Sequence, residues 1–304
     1  MNNKMVFSKD DVCVLIPTLN EEKTIGSVIT DLKSHGYNNI FVIDGNSNDN
    51  TRSIAQNLGA FVEIQHSKGK GAAIIESISL INTKYLLMLD GDGTNPPQYA
   101  DEMLKPIIDG NADHVIGNRL QEYEPGALTT LNRIGNSIMN LQFKLSSGVY
   151  MYDILSGYRA FTLDSLRKMD LKEIGFEIET EMCSKSAQLG LRFDIVDTYY
   201  KKRVGSNTKL HPIRDGYKIM MAINKYGLAY NTHYRFIILG LFILGISILF
   251  IFWNYLRNYN EYQSILEGIP MYTLTFGLFT LLFGLICDLV YGCHKEKCNI
   301  KNKT

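Results

Sequence analysis

The most informative stretch of this 304-residue chain is Tyr85-Leu-Leu-Met-Leu-Asp-Gly-Asp-Gly-Thr94. Its first five residues are apolar and predict a short buried strand, and two carboxylates, Asp90 and Asp92, follow that strand directly. Two carboxylates separated by one flexible glycine can approach the same cation, and ligand sets made of oxygen suit Mg²⁺ or Mn²⁺. Asp-Gly is also common in turns, so the motif acquires its meaning from its surroundings.

Strands and helices alternate on both sides of this stretch. The predicted strands are residues 12–17, 40–43, 61–64, 85–89 and 114–117, and the predicted helices are 21–35, 49–58, 70–81 and 98–109. We expect Asn20 to cap the first helix. The alternation predicts an α/β fold, a mostly parallel sheet with helices on both faces.

Polar segments follow four of the predicted strands, at residues 18–22, 44–47, 90–94 and 118–119. Ligands of such sheets bind beyond the carboxyl ends of the strands. Turn chemistry explains any one of these segments but explains four together poorly. A further segment, Lys68-Gly-Lys-Gly71, opens a predicted helix, where it forms either an anion cradle or an ordinary glycine-rich start.

Composition excludes several classes of function. The formal net charge is zero, which argues against nucleic acid as a partner. The five cysteines are scattered without zinc-site spacing, and we expect free thiols in a reducing compartment. The N-terminus does not resemble a signal peptide, so the catalytic part is expected in the cytosol.

Two long uncharged stretches, residues 236–256 and 268–287, dominate the C-terminal part of the chain. Each has about the ~20 residues that a helix needs to cross a bilayer. They predict a transmembrane helical hairpin, at about 236–256 and 268–290, with a buried helical pair in a soluble core as the alternative. Basic residues flank the pair and the connecting loop has only Arg257, so both termini are expected in the cytosol.

The segment that precedes the first uncharged stretch predicts an amphipathic helix, with Tyr217, Met220 and Met221 near one face. It either lies on a membrane surface or packs against the catalytic domain. The predicted boundaries are therefore a catalytic domain at 1–212, a juxtamembrane helix at 213–232, two spans within 233–292 and a basic tail at 293–304.

Taken together, these motifs resemble family 2 glycosyltransferases with the GT-A fold. The motifs that carry the resemblance occur in the order Pro17-Thr-Leu-Asn-Glu-Glu22, Asp44-Gly-Asn-Ser-Asn-Asp-Asn-Thr51, Gly69-Lys-Gly-Ala-Ala73 and Asp90-Gly-Asp92. The later motifs are similar to the polyprenyl-phosphate branch, which includes dolichyl-phosphate mannose, glucose and GlcNAc synthases. These are Gly117-Asn-Arg119, Asn132-Arg133 with Ser137, Asp153-Ile-Leu-Ser-Gly-Tyr-Arg159, Gly175-Phe-Glu-Ile-Glu-Thr-Glu181 and Lys202-Arg-Val-Gly-Ser-Asn-Thr-Lys-Leu210.

The resemblance covers about residues 11–211 and implies a role for each matching position. Nucleotide binding is implied for Pro17, Glu22, Asp44, Lys70 and Asp90. Metal binding is implied for Asp90 and Asp92, with either Thr94 or water as the third ligand, because Thr94 stands where relatives often have Gln. Binding of the acceptor phosphate is implied for Arg119, Arg133 and Ser137, and binding of the donor diphosphate for Arg203 and Lys209. Asp92, Arg119 and Arg133 are the implied catalytic residues, with Mg²⁺ or Mn²⁺ as the cofactor.

The implied reaction is inverting transfer of a monosaccharide from a nucleotide sugar to dolichyl or polyprenyl phosphate. A phosphate monoester is largely a dianion at neutral pH and needs no general base. The Asp44-Gly-Asn-Ser loop is similar to archaeal N-glycosylation relatives that use UDP-GlcNAc or UDP-glucose. The alternatives are a GDP-mannose-dependent synthase and an inactive nucleotide-sugar- or lipid-binding membrane protein. Membrane attachment is implied, and a homo-oligomer is possible.

Two subsidiary expectations concern charged residues of the later motifs. Arg159 is expected to form a structural ion pair with Asp153. Glu177 and Glu181 would share one helix face, and we expect glutamates of this motif to be partly solvated.

Overall fold

The computed structural model describes residues 7–205, 208–209, 211–230, 232–256 and 271–287. The chain divides into two units, Met1–Tyr226 and Gly227–Thr304. The first holds an α/β sheet and the second holds apolar helices.

The first unit is built on a sheet that has seven strands among the described residues. In chain order these are β1 (Val12–Thr18), β2 (Ile40–Asp44), β3 (Phe61–Ile64), β4 (Tyr85–Met88), β5 (His114–Asn118), β6 (Arg159–Thr162) and β7 (Phe193–Asp197). Their order in the sheet is β3-β2-β1-β4-β6-β5-β7. Strand β6 is antiparallel to β4 and β5, and all other neighbours are parallel. The mostly parallel sheet is therefore confirmed, with one antiparallel strand that the sequence pattern did not predict.

The helices of the first unit cover both faces of this sheet. They are α1 (Ile25–Ser34), α2 (Thr51–Asn57), α3 (Lys70–Leu80), α4 (Ala100–Ile108), α5 (Thr130–Ser147), α6 (Leu163–Lys168), α7 (Ile178–Gln188) and α8 (Pro212–Tyr230). Alternate residues of β1 point to opposite faces: Val14 belongs to a core with α1 and α4, and Leu15 to a core with α3 and α7. Both side chains are fully buried.

The start of the first helix differs from the prediction. Helix α1 begins at Ile25 rather than residue 21, and its N-cap is Thr24. Asn20 has a positive φ of 50°, and its side-chain carbonyl accepts a hydrogen bond from the backbone N–H of Asn48 at 2.9 Å. The prediction of Asn20 as a cap was wrong, because its side chain joins two loops instead of a helix end.

One face of helix α8 packs into the first unit. Ile219 and Ile223 lie in a core cluster with Phe143 of α5 and Cys183 of α7. The packing predicted as the alternative to a membrane-surface helix is thus present on this face. The other face exposes several large apolar side chains, with Ile213, Tyr217 and Met221 81%, 59% and 48% exposed, and it is the group rather than any single residue that is notable.

The second unit contains helix α9 (Thr232–Leu256) and helix α10 (Met271–Cys287). Among the described residues, only the segment Phe236–Trp253 of α9 is long and apolar enough to cross a membrane. Helix α10 is apolar but shorter. The rest of the second predicted span lies outside the described residues. The connecting loop and the basic tail, which were used to predict orientation, also lie outside them. The two helices contact each other through a 3.0 Å hydrogen bond between the hydroxyls of Ser247 and Thr273.

Candidate active site

The polar segments after β1, β2 and β4 join at one edge of the sheet. The backbone N–H of Gly45 donates to the carbonyl of Thr18 at 2.7 Å, and the hydroxyl of Thr24 donates to the carbonyl of Gly91 at 2.8 Å. The segment after β5 reaches the same edge, where the charge of Arg119 acts on Asp90. The convergence expected for a parallel sheet is therefore present.

Asp90 lies beside a lysine that bridges two carboxylates. The ammonium of Lys70, at the first residue of α3, is 2.6 Å from Asp90 Oδ1 and 2.7 Å from Glu179 Oε1. Burial alone would raise the pKa of Asp90, but the charge and hydrogen bond of Lys70 outweigh it and hold that pKa below its ordinary value. Burial would likewise lower the pKa of Lys70, and the two carboxylates raise it instead. Asp90 is therefore ionised and Lys70 charged at neutral pH.

This arrangement depends on a glycine in the neighbouring loop. A Cβ on Gly157 would lie 2.5 Å from Asp90 Oδ2 and 3.1 Å from Lys70 Nζ. The loop that precedes β6 can therefore approach the ion pair only because this position has no side chain.

Asp92 is almost fully buried and is held by its own loop. The backbone N–H and the hydroxyl of Thr94 both donate to Asp92 Oδ1, at 3.0 and 2.7 Å. Arg203 forms an ion pair with Asp92 Oδ2. Burial and the neighbouring charge of Asp90 raise the pKa of Asp92, although Arg203 and Thr94 oppose them. The Thr94 hydroxyl thereby orients this carboxylate, and its role as a third metal ligand stays a prediction.

The neighbouring Glu21 receives both predicted diphosphate-binding cations. Its Oε1 is 3.1 Å from Arg203 Nη1 and 2.5 Å from Lys209 Nζ, and Glu21 is 5% exposed. Glu22, the glutamate chosen from the sequence motif, accepts hydrogen bonds from the backbone and side-chain N–H groups of Asn50 at 3.1 Å. The sequence motif did not distinguish between two adjacent glutamates, and the structure places Glu21 beside Asp92.

Asp44 is fully buried, and its carboxylate organises the loop that follows β2. It accepts hydrogen bonds from the backbone N–H and hydroxyl of Ser47, at 2.7 and 2.6 Å, and from the hydroxyl of Thr18 at 3.2 Å. Pro17, at the end of β1, is half-buried. The nucleotide-binding roles of both residues stay predictions, and for Asp44 the geometry favours an indirect role through loop shape.

Arg119 is positioned by the loop that carries Gly157. Its Nε donates to Asp153 Oδ2 at 2.9 Å, and its Nη2 donates to the carbonyl of Leu155 at 2.9 Å. The prediction that Asp153 pairs with Arg159 was wrong. Arg159 is fully buried and donates instead to the carbonyls of Ile154 and Ser156, each at 2.8 Å.

Arg133 and Ser137 lie one turn apart on the exposed side of α5. They line a groove of about 330 Å³ together with Thr130, Ile134 and Ile138. The guanidinium of Arg133 lies 5.7 Å from the ring centroid of Tyr123, and that of Arg119 lies 5.4 Å from the ring of Tyr200. These tyrosines are paired by a β-bridge. Two adjacent aromatic residues thus place the two predicted acceptor arginines in the same part of the molecule.

The glutamates of the segment after residue 175 are buried, so the expectation of partly solvated side chains was wrong. Glu177, Glu179 and Glu181 are 8%, 3% and 0% exposed. Glu179 pairs with Lys70, and sequence periodicity alone did not indicate this partner because the two are far apart in the chain.

The carboxylates of the site fit a divalent cation that also binds substrate phosphates. Among the described residues there is no cluster of three or more His, Cys, Asp or Glu side chains suited to hold a metal. Asp90 and Asp92 provide two carboxylates on one loop, and Mg²⁺ is commonly bound by one or two carboxylates plus phosphate oxygens. The donor set therefore suits a cation that arrives with, or is completed by, a diphosphate.

Residues 13–170 match the model of glycosyl transferase family 2. The chain belongs to this family. Glycosyltransferase AglJ from Haloferax volcanii is 40% identical over 95% of this chain and 96% of its own length. A dolichyl-phosphate hexose transferase from the same organism is 31% identical over 72% of this chain and 95% of its own length. The predicted resemblance is confirmed, and this glycosyltransferase is an enzyme whose relatives include archaeal dolichyl-phosphate transferases.

Solved structures agree on the fold of the glycosyltransferase. A glucosyl-3-phosphoglycerate synthase from Mycobacterium tuberculosis, in complex with Mn²⁺, UDP-glucose and phosphoglyceric acid, matches with a TM-score of 0.59 and 21% identity. The match covers 71% of this chain and 79% of that one. It supports the GT-A fold of the first unit.

Proposed function

We propose that this glycosyltransferase transfers a monosaccharide, with inversion, from UDP-GlcNAc or UDP-glucose to the phosphate of a dolichyl or polyprenyl lipid. The observation that carries the proposal is an acidic pair, the half-buried Asp90 and the buried Asp92, and an arginine pair, Arg119 and Arg133, on the same part of one domain. The acidic pair suits a cation and a donor diphosphate, and the arginine pair suits an acceptor phosphate.

On the donor side, two cationic side chains are paired with carboxylates and would exchange these partners for phosphate oxygens. A bound Mg²⁺ or Mn²⁺ would neutralise the charge that develops on the leaving diphosphate. Arg203 and Lys209 now pair with Asp92 and Glu21. If a diphosphate and its cation occupied the carboxylates, these two side chains would become available to the phosphate oxygens, where they would stabilise the leaving group electrostatically.

On the acceptor side, the chemistry requires neutralisation more than proton removal. An oxygen of the acceptor phosphate attacks the anomeric carbon, the bond from that carbon to the donor diphosphate breaks, and the nucleoside diphosphate leaves with the bonding electrons. The acceptor is already a dianion near neutral pH. Its approach is opposed by the charge of the donor diphosphate, and Arg119 and Arg133 offset this repulsion with planar groups suited to phosphate oxygens.

The lipid part of the acceptor is supported by apolar surface next to Arg133. Helix α5 exposes apolar side chains at near-heptad spacing, namely Leu131, Ile134, Ile138, Leu141 and Leu145, each more than 50% exposed. Such a stripe beside cationic side chains suits the interface of a bilayer. The exposed Ile213 of α8 and the apolar α9 point to the same environment, and we place the enzyme on the cytosolic face of a membrane with α9 and α10 as its anchor.

The donor and acceptor are tested directly with purified full-length protein in detergent. It is incubated with labelled UDP- and GDP-sugars and polyprenyl phosphate, with Mn²⁺, with Mg²⁺ or with a chelator, and the lipid is extracted. We expect labelled lipid from a UDP-sugar, and none after chelation. Labelling from GDP-mannose alone would replace the donor in this proposal, and absence of labelled lipid with every donor would refute it.

A further inference from the structure

The end of α8 is tied to buried acidic side chains. Tyr226 is 8% exposed, and its hydroxyl lies 2.8 Å from Glu173 Oε1 and 2.8 Å from Glu181 Oε1. Lys225, the preceding residue, is 2.6 Å from the same oxygen of Glu173. The contacts join the last residues of the first unit to the segment that leads into α7.

Glu181 in turn determines the path of that segment. This carboxylate is fully buried and accepts the backbone N–H of Lys172 at 2.9 Å and that of Glu173 at 2.7 Å. A fully buried carboxylate that receives two backbone donors and a phenol holds the local backbone in one conformation. Glu181 thereby holds the peptide units that end at Lys172 and Glu173, directly before the carbonyls of residues 173 and 174.

These carbonyls meet the start of α3. The backbone N–H of Ala72 donates to the carbonyl of Ile174 at 3.1 Å. A Cβ on Gly71 would clash with the carbonyl oxygen of Glu173, and one on Gly69 with that of Ile174. The segment Lys68-Gly-Lys-Gly71, for which the sequence left an anion cradle or an ordinary helix start as alternatives, is thus covered by protein carbonyls. Its two glycines allow the two backbone segments to approach each other closely.

Lys70 is the first residue of α3, so its side chain starts from this same backbone segment. Its ammonium bridges Asp90 and Glu179, and Glu179 lies two residues before Glu181 in the same helix. Tyr226 is therefore connected to the Lys70–Asp90 pair by two routes, one through the segment 172–174 and one through α7.

We propose that Tyr226 is a positioning residue for the donor side of the active site, acting on Lys70 through Glu181 and the segment 172–174. The proposal rests on the proposed function, in which Lys70 and Asp90 serve the nucleotide sugar. It deepens that function by making donor binding depend on the last turns of α8, a helix that also exposes the apolar side chains of Ile213, Tyr217 and Met221.

The test compares two tyrosine variants in the full-length protein. Tyr226→Phe removes the hydroxyl and keeps the ring. Tyr37→Phe removes a similar buried bond, since the Tyr37 hydroxyl donates to Asp101 at 2.5 Å, but Tyr37 precedes β2 at the opposite end of the strands from Asp90. Both variants should lower the unfolding midpoint, so that stability alone does not separate them.

The kinetic constants separate the two variants. We expect Tyr226→Phe to raise the KM for the nucleotide sugar at least threefold and to weaken UDP binding in calorimetry by a similar factor, with the KM for polyprenyl phosphate unchanged within twofold. Tyr37→Phe should leave both constants unchanged. Equal constants in Tyr226→Phe and wild type, or parallel rises in both KM values, would overturn the inference.

Two other results would also decide the inference. If Tyr226→Phe does not fold, Lys225→Gln decides, because Lys225 is largely exposed and contacts the same Glu173; an unchanged donor KM in that variant rejects the inference. If wild-type protein makes no labelled lipid with any donor, the proposed function fails. In that case UDP binding by the wild type and Tyr226→Phe still decides the inference, and equal affinities or no binding reject it.

Discussion

The two charged regions of the site are built in opposite ways. On the donor side, Asp92 and Glu21 are buried and Asp90 is half-buried, and each is paired with a lysine or arginine of the same chain. On the acceptor side, Arg133 lies on the exposed first turn of α5 in an open groove with isoleucines. Arg119, paired with Asp153 and mostly buried, stands between these two types.

This difference in burial and ion pairing indicates how each of the two substrates would bind. Buried ion pairs cost desolvation energy, and removal of one partner leaves an uncompensated charge. The donor side therefore suits a ligand that brings its own cation and exchanges partners with the protein. The acceptor side is solvated before binding, so a phosphate there replaces water rather than protein carboxylates.

The strongest test of this contrast is Asp92→Asn. The variant removes one of two carboxylates proposed to hold the metal and should reduce lipid-sugar synthesis by about 10³-fold, because charge on the leaving diphosphate loses its main compensation. Initial rates with saturating substrates measure the loss. Asp31→Asn, which alters an exposed aspartate of α1, serves as the control and should stay near wild type. Activity of Asp92→Asn within tenfold of wild type would contradict the metal-carboxylate mechanism.

A smaller effect is expected at the exposed arginine. Arg133→Ala should raise the KM for polyprenyl phosphate by roughly tenfold, since a hydrogen bond to a charged group is worth about 1.5–3 kcal/mol. The donor KM and the unfolding midpoint should not change. Lys144→Ala removes another exposed cation from the same helix and should leave all three quantities at wild-type values. If Arg133→Ala instead raises the donor KM, the two regions are not separate.

The smallest effect concerns the buried support beneath Arg119. His114 Nε2 faces Arg159 Nη1 at 3.1 Å, and its Nδ1 faces the hydroxyl of Ser186 at 2.7 Å. Burial, and then the charge of Arg159, hold the pKa of His114 well below its ordinary value. The unfolded chain therefore takes up a proton below about pH 6.5 that the folded chain does not, and stability should fall as the pH falls by up to about 1.4 kcal/mol per pH unit.

Unfolding of the full-length protein in detergent, followed between pH 7.5 and 5, measures this slope. His114→Gln lacks the titrating group and should show a shallower dependence than wild type over the same range. Identical slopes would mean that His114 is protonated in the folded protein, and that Arg159 is not held by a neutral ring.

The sequence predicted the parts of the molecule that depend on local pattern. Strands β1 to β5 and the convergence of their loops follow from apolar runs and from the geometry of parallel sheets, and Asp90 and Asp92 could be located that way. Strands β6 and β7 were missed. Arg159–Thr162 begins with a charged residue and pairs with β4 and β5 in the antiparallel sense, which an alternation of strands and helices does not indicate. Phe193–Asp197 contains two aspartates and is not an apolar run.

Partners of charged side chains could not be predicted in the same way. Asp153 pairs with Arg119 rather than with Arg159, although Arg159 is nearer in sequence. Glu179 and Lys70 meet across the fold, and Glu21 rather than Glu22 turns toward Asp92. Such choices depend on tertiary packing, which here brings together residues from 34 to 182 positions apart and is not encoded in any local period.

The antiparallel strand has a consequence for how such an enzyme can diversify. Because β6 runs against β5, Ile116 and Arg159 are direct neighbours, and the chain leaves and re-enters the sheet at almost the same place. The chain between them, which includes α5 and its groove, therefore begins and ends at neighbouring positions of the sheet. The exposed side of α5, which carries the groove, can therefore differ in sequence without moving the strand that leads to Asp90, whereas its buried residues, such as Phe143, are fixed by the core.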